Sequence, residues 1–84
     1  MINGVAIKHH DGRVFSLPRP FRHSHVIQVM ARVCGIKIPI TGEQGFITAN
    51  GRFLEREEAG KYAIRHEQIE KLSWAPELYS EDLW

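Results

Sequence analysis

Two arginines and two histidines crowd into Arg19-Pro20-Phe21-Arg22-His23-Ser24-His25, just where a helix is about to begin. Guanidinium forks grip phosphate or carboxylate bidentately, and the unpaired N–H groups of a helix start favour the same anions. The stretch reads either as an anion site or as a proline-stiffened loop of solvated charge. A second group, Gly51-Arg52-Phe53-Leu54-Glu55-Arg56-Glu57-Glu58-Ala59, sets Arg52 at the end of a tight turn and Arg56 at the opening of a helix. One arginine is then free to aim outward while the other pairs with Glu57 or Glu58. The alternative is ordinary helix-start charge patterning, worth roughly 0.2–0.5 kcal/mol per pair. A third group, Leu78-Tyr79-Ser80-Glu81-Asp82-Leu83-Trp84, puts two carboxylates side by side. Such a pair can act as acid and base or hold a cation. The preferred reading is a turn capped by Ser80 that staples Leu83 and Trp84 into an apolar groove.

Other chemistry is excluded by what is missing. The rings of His23 and His25 diverge at a helix start, and no Cys pair or His-Glu-x-x-His motif completes a ligand set. His9 and His10 are adjacent and, on a strand, face opposite sides. No metal site is therefore expected. Cys34 is expected to be a small buried hydrophobe, since nothing local lowers its pKa. No glycine-rich phosphate loop or serine elbow is present, and no motif calls for a cofactor.

The elements that must position these residues follow from spacing. Val5 and Ile7 alternate with polar or small neighbours, and Val14 and Phe15 follow the turn signal Asp11-Gly12, which predicts a first hairpin. Pro18-Arg19-Pro20 is a stiff extended link. A helix is predicted over 25–34, with Ser24 as N-cap, an apolar stripe of Val26, Ile27, Met30, Ala31 and Val33, and Gly35 as the left-handed stop. Residues 36–40 read as extended. A second hairpin runs from Gly45-Phe46-Ile47-Thr48 through Ala49-Asn50-Gly51 to Arg52-Phe53-Leu54. A second helix is predicted over 56–68, its inner stripe being Ala59, Tyr62, Ala63 and His66 or Ile69. Gly60 in that helix costs about 1 kcal/mol relative to alanine and marks close packing if it marks anything. The tail holds Trp74, Tyr79 and Trp84 and is expected to lie ordered across the domain or a partner. The fold class expected is α+β: a small antiparallel sheet of two hairpins with two helices (ββαββα) and an ordered aromatic tail, in a single domain spanning 1–84.

Bulk composition narrows the partners. The 84 residues carry 11 Lys+Arg against 10 Asp+Glu, a formal net charge of +1. That balance gives no support for nucleic-acid binding. No apolar run approaches the roughly 18–20 residues of a membrane span, and the first residues lack a signal peptide's basic start and apolar stretch. A single cysteine excludes an internal disulfide, so a reducing, intracellular setting is expected. A chain this short gains by burying more surface in an oligomer, and a homodimer or higher assembly is expected.

The pattern Arg22-His23, Val26-Ile27, Gln44-Gly45-Phe46-Ile47-Thr48, Gly51-Arg52-Phe53, Arg56-Glu57-Glu58-Ala59, Gln68 and Ser80-Glu81-Asp82-Leu83-Trp84 resembles a family of small proteins of tailed bacteriophages and prophages. The resemblance runs from about residue 19 to the end. Members of that family often carry aspartate at positions 25 and 55, where this chain has His25 and Glu55. The resemblance implies a phage accessory protein working in the host cytoplasm, blunting host defence by sequestering a nucleotide signal or by blocking a host protein. It also implies that Arg22, His23, Thr48, Arg52 and Arg56 share one pocket for an anionic, nucleotide-type ligand. His25, Phe46, Glu81 and Asp82 are secondary candidates. Phe21, Phe46 or Phe53 would face a base. Two alternatives stay open: a protein-binding inhibitor using the aromatic tail, and a small enzyme with His23 as acid or base beside Glu81 or Asp82, a binding role being preferred.

Overall fold

A computed structural model describes residues 1–37 and 42–84. It is an α+β fold. Strands β1 (Ile2–His9) and β2 (Val14–Pro18) precede helix α1 (His23–Arg32). Strands β3 (Gly42–Thr48) and β4 (Phe53–Glu55) then lead directly into helix α2 (Arg56–Arg65), and a short 3-10 turn (Ser80–Asp82) closes the chain. The two hairpins are not separate units. They merge into one four-stranded antiparallel sheet of order β2-β1-β3-β4, in which Val5 faces Leu17 on one side and Phe46 on the other. The extended reading of residues 36–40 falls largely on residues outside those described.

β1 is, with β3, one of the two inner strands, and burial reflects it: Val5, Ala6 and Ile7 are consecutive and all buried. Val5 and Ile7 share the face that meets the helices, while the small Ala6 faces the other way, so burial on this strand does not follow simple alternation. α1 lies against β1 and β2, and α2 against β3 and β4. Val26 and Met30 from α1, Ala59 and Ala63 from α2, and Leu78 from the tail meet Ile2, Val5, Ile7, Phe46 and Leu54 in one core. Burying a side chain of this size is worth roughly 1.5–3 kcal/mol.

Local chemistry sets the ends. Gly51 at φ +86° makes the second hairpin's turn, as expected of Asn-Gly. α1 begins two residues earlier than expected, and Ser24 is not its cap. The cap position belongs to Arg22, whose backbone N–H donates to His25 Nδ1 at 2.9 Å. That is the back-reaching half of a capping box, with imidazole in place of the usual Glu. α1 ends at Arg32 and Gly35 turns left-handed at φ +69°, so Cys34 sits on the exposed turn, not in the core. α2 is capped by Glu55, which accepts from Glu58 N–H at 2.5 Å, so the longer carboxylate caps as aspartate would. α2 stops at Arg65, short of 68. Gln68 is used elsewhere: its amide accepts from Ile2 N–H at 2.9 Å and donates to Ile2 O at 2.8 Å, filling both polar groups of a buried strand end.

Gly60 does mark close packing. A Cβ there would lie 3.0 Å from Leu72 Cδ1 and 3.0 Å from Pro76 O, where the tail crosses α2. Leu78 is fully buried, and Leu83 and Trp84 pack against the core. The 3-10 turn is capped by Asp82, which accepts from Tyr79 N–H at 3.1 Å and Ser73 N–H at 3.3 Å. Ser80, expected as the cap, is instead buried inside the turn.

Candidate functional site

The expected site residues divide into groups in different places. Arg22 turns inward to the tail. Its Nη1 donates to Ser80 Oγ at 2.9 Å, and its Nη2 donates to Trp84 O. Arg56, at the start of α2, donates from Nη1 to Leu78 O at 2.8 Å and from Nη2 to Gln44 Oε1 at 2.6 Å. Its guanidinium also lies 4.3 Å from the centre of the Tyr79 ring. Neither Glu57 nor Glu58 pairs with it. Arg22 thus spends its fork on the segment 78–84, and Arg56 divides its own between Leu78 and Gln44 of β3.

His23 sits beneath them. The ring is buried, Nε2 lies 2.7 Å from Gly45 O, and the ring meets Phe46 edge-on at 5.3 Å. A carbonyl only accepts, so Nε2 carries the proton and donates. Burial holds the imidazole below its ordinary value, the Arg56 charge pushes the same way, and the Gly45 carbonyl and Glu81 pull against them. His23 thus ties α1 to β3 as a neutral donor. Phe46 is fully buried and cannot face a base. Glu81 comes close to Ser80 Oγ, at 3.5 Å, while Asp82 is occupied as a cap.

Thr48 and Arg52 lie at the far hairpin. Thr48 Oγ1 donates to Asn50 Oδ1 and accepts from Arg52 N–H at 3.0 Å, bracing the turn. The Arg52 guanidinium itself lines a different recess, of about 210 Å³, with Leu54, Glu58, Lys61, Tyr62 and Arg65. The single pocket expected for Arg22, His23, Thr48, Arg52 and Arg56 is therefore corrected: two of its arginines serve the tail, and Arg52 belongs to a second place. The reason is that the tail's carbonyls need donors, and Arg22 and Arg56 are the ones in reach.

The second place was not foreseen. Residues 58, 61, 62 and 65 are spaced i, i+3, i+4 and i+7, so they share one face of α2. Beside β4 that face brings Arg52, Lys61 and Arg65 into the lining of one recess with a single carboxylate residue, Glu58. Among the described residues the carboxylate ion pairs are those of Asp11 with His9 and Arg13, so these three cations pair with none. Tyr62 supplies a ring, flanked by His66 at 4.2 Å and by the Arg65 guanidinium at 6.0 Å, and its Oη accepts from the Met1 amino group at 2.9 Å. The signal in the sequence was the Lys61-Tyr62-x-x-Arg65 spacing.

His9 and His10 also depart from expectation. Their rings lie 4.1 Å apart, because β1 ends at His9 and strand alternation no longer applies to His10. Among the described residues no group of three His, Cys, Asp or Glu side chains is placed to hold a metal ion. Nor is any described helix long and apolar enough to cross a membrane.

Fold and sites together define a small α+β protein whose closing segment is clamped by two arginines. A family model for the phage T4 y16D protein matches residues 1–84, and the chain belongs to that family. No curated protein and no solved structure matches the chain.

Proposed function

We propose that this phage accessory protein binds a small anionic ligand of nucleotide type in the recess between β4 and α2, and so withholds it from a host defence. The observation that carries the reading is the convergence of Arg52, Lys61 and Arg65, none paired with a carboxylate, around the Tyr62 ring. Arginine forks and a lysine suit phosphate oxygens, and an aromatic ring suits a base. Glu58 gives the recess a polar acceptor that can select for a ligand N–H or hydroxyl. Arg22, His23 and Arg56 act at a distance in this reading, by fixing the tail and through it the packing of α2.

The test is calorimetry against a panel of mononucleotides, dinucleotides and cyclic nucleotides. Each charge-assisted contact contributes about 1.5–3 kcal/mol, so Arg52→Ala and Arg65→Ala should each weaken the best ligand roughly 10- to 100-fold. Binding that survives the Arg52→Ala, Arg65→Ala double variant unchanged would show that the recess is the wrong place.

A further inference from the structure

Trp74 is the large ring left out of the fold. It is 72% exposed, whereas Trp84 packs on the core. Its backbone is anchored. Trp74 and Glu77 form an isolated β-bridge with Glu77 N–H donating to Trp74 O at 3.1 Å, and the following Pro76 carbonyl lies against Gly60 of α2. A ring carried on an anchored backbone loses less freedom on docking than one on a loose chain.

The same chain also carries an open apolar groove of about 350 Å³. Leu17 of β2, Phe21, and Val29 and Val33 of α1 form it, with Arg32 on its border. Phe21 is 43% and Val33 78% exposed, so this surface is open to water. Charge divides the two features sharply. Residues 12–42 hold Arg13, Arg19, Arg22, Arg32 and Lys37 and no acid at all. Residues 66–84 hold Glu67, Glu70, Glu77, Glu81 and Asp82 against one cation, Lys71. An indole on an acidic segment thus matches an apolar groove on a basic one, and both sit on every copy.

We propose that the groove between β2 and α1 receives Trp74 of a second copy of this chain. Each copy then gives a ring and takes one, and the contact is heterologous in kind: knob and socket are different surfaces. Aromatic burial supplies the attraction, and the acidic flank of the knob facing the Arg32 side of the groove sets its direction. The buried patch is far smaller than the roughly 800 Å² per partner of a stable complex, so the association is a weak, concentration-dependent one. This proposal is independent of the ligand recess.

Sedimentation velocity between about 10 µM and 1 mM reads it, a range that spans weak dissociation constants. The wild-type chain should rise above monomer mass with concentration. Trp74→Ala lacks the knob and Val33→Asp lacks the socket, and each alone should stay monomeric across the range. Their equimolar mixture should associate, because the ring of the second fits the groove of the first. Both positions are exposed, and unchanged circular dichroism of each variant confirms that it is folded. A wild-type chain that stays monomeric to about 1 mM, including one that reserves Trp74 for a different protein, overturns the proposal. So does a Trp74→Ala variant that associates like the wild type, or a mixture that stays monomeric while the wild type does not.

Discussion

Arg56→Ala removes a side chain with three partners. The guanidinium donates to Leu78 O at 2.8 Å and to Gln44 Oε1 at 2.6 Å, and it covers the Tyr79 ring at 4.3 Å. A hydrogen bond from a charged donor contributes about 1.5–3 kcal/mol, and the end at Gln44 faces water, which puts it at the bottom of that range or below. The ring contact adds roughly 0.5–1 kcal/mol. Leu78 is fully buried, so its carbonyl loses its partner in a place that water reaches poorly. The sum is about 3 kcal/mol. The Leu78 N–H donating to Arg56 O at 3.0 Å is backbone and survives the change, which keeps the loss from being larger. For a domain of this size 1 kcal/mol shifts the midpoint by about 4–8 °C, so the variant should melt roughly 12–24 °C lower. Thermal and urea unfolding followed by circular dichroism measure both quantities. Arg56→Lys keeps the charge but not the fork and should recover about half of the loss. A destabilisation below about 0.5 kcal/mol for Arg56→Ala would refute the view that this arginine clamps the tail, since that is the size of an ordinary surface substitution.

Gln68→Ala leaves Ile2 N–H and O without their partners and should cost about 1–3 kcal/mol in urea unfolding, while Gln68→Glu, which keeps the acceptor and loses the donor, should fall between. His25→Ala removes the acceptor for the Arg22 N–H and should cost about 1 kcal/mol, whereas His25→Asp restores a cap acceptor and should match the wild type above pH 5 in the same assay. The buried imidazole of His23 titrates below its ordinary value of 6.5, so the unfolded chain binds the extra proton first as pH falls. The contribution of His23 to stability is therefore complete above pH 6.5 and declines as pH drops below it, and His23→Gln should flatten that part of a stability-against-pH curve.

Much of the backbone was legible. Asn50-Gly51 and Gly35 announced their turns because only a left-handed φ closes them, and Val26 with Met30 marked the inner face of α1 by their period. What spacing alone cannot carry is long-range pairing. That β1 pairs with β3 depends on residues some forty positions apart, and no local signal encodes it. The site failed for a related reason. Arg22 and Arg56 look like free cations in a sequence, yet the tail from Leu78 to Trp84 offers bare carbonyls that need donors, and that need is visible only once the tail is seen crossing the domain. Ser24 looked like a cap because serine usually is one; the chain instead let Arg22 N–H find a ring nitrogen three residues on. The recess at Arg52 is hidden in the sequence because Tyr62 reads as part of the inner stripe of its helix, while Lys61 and Arg65 carry no local signal beyond their helical spacing.

The most direct measurement is an amide-resolved NMR titration of the folded chain with the tightest nucleotide from the calorimetric panel. The amides of Arg52, Tyr62 and Arg65 should shift together and saturate at one ligand per chain, with those of Arg22 and His23 nearly still. Shifts centred on Arg22, Ser80 and Trp84, or a spectrum indifferent to every nucleotide offered, would contradict the assignment of the recess beside α2 as the place where the ligand is held.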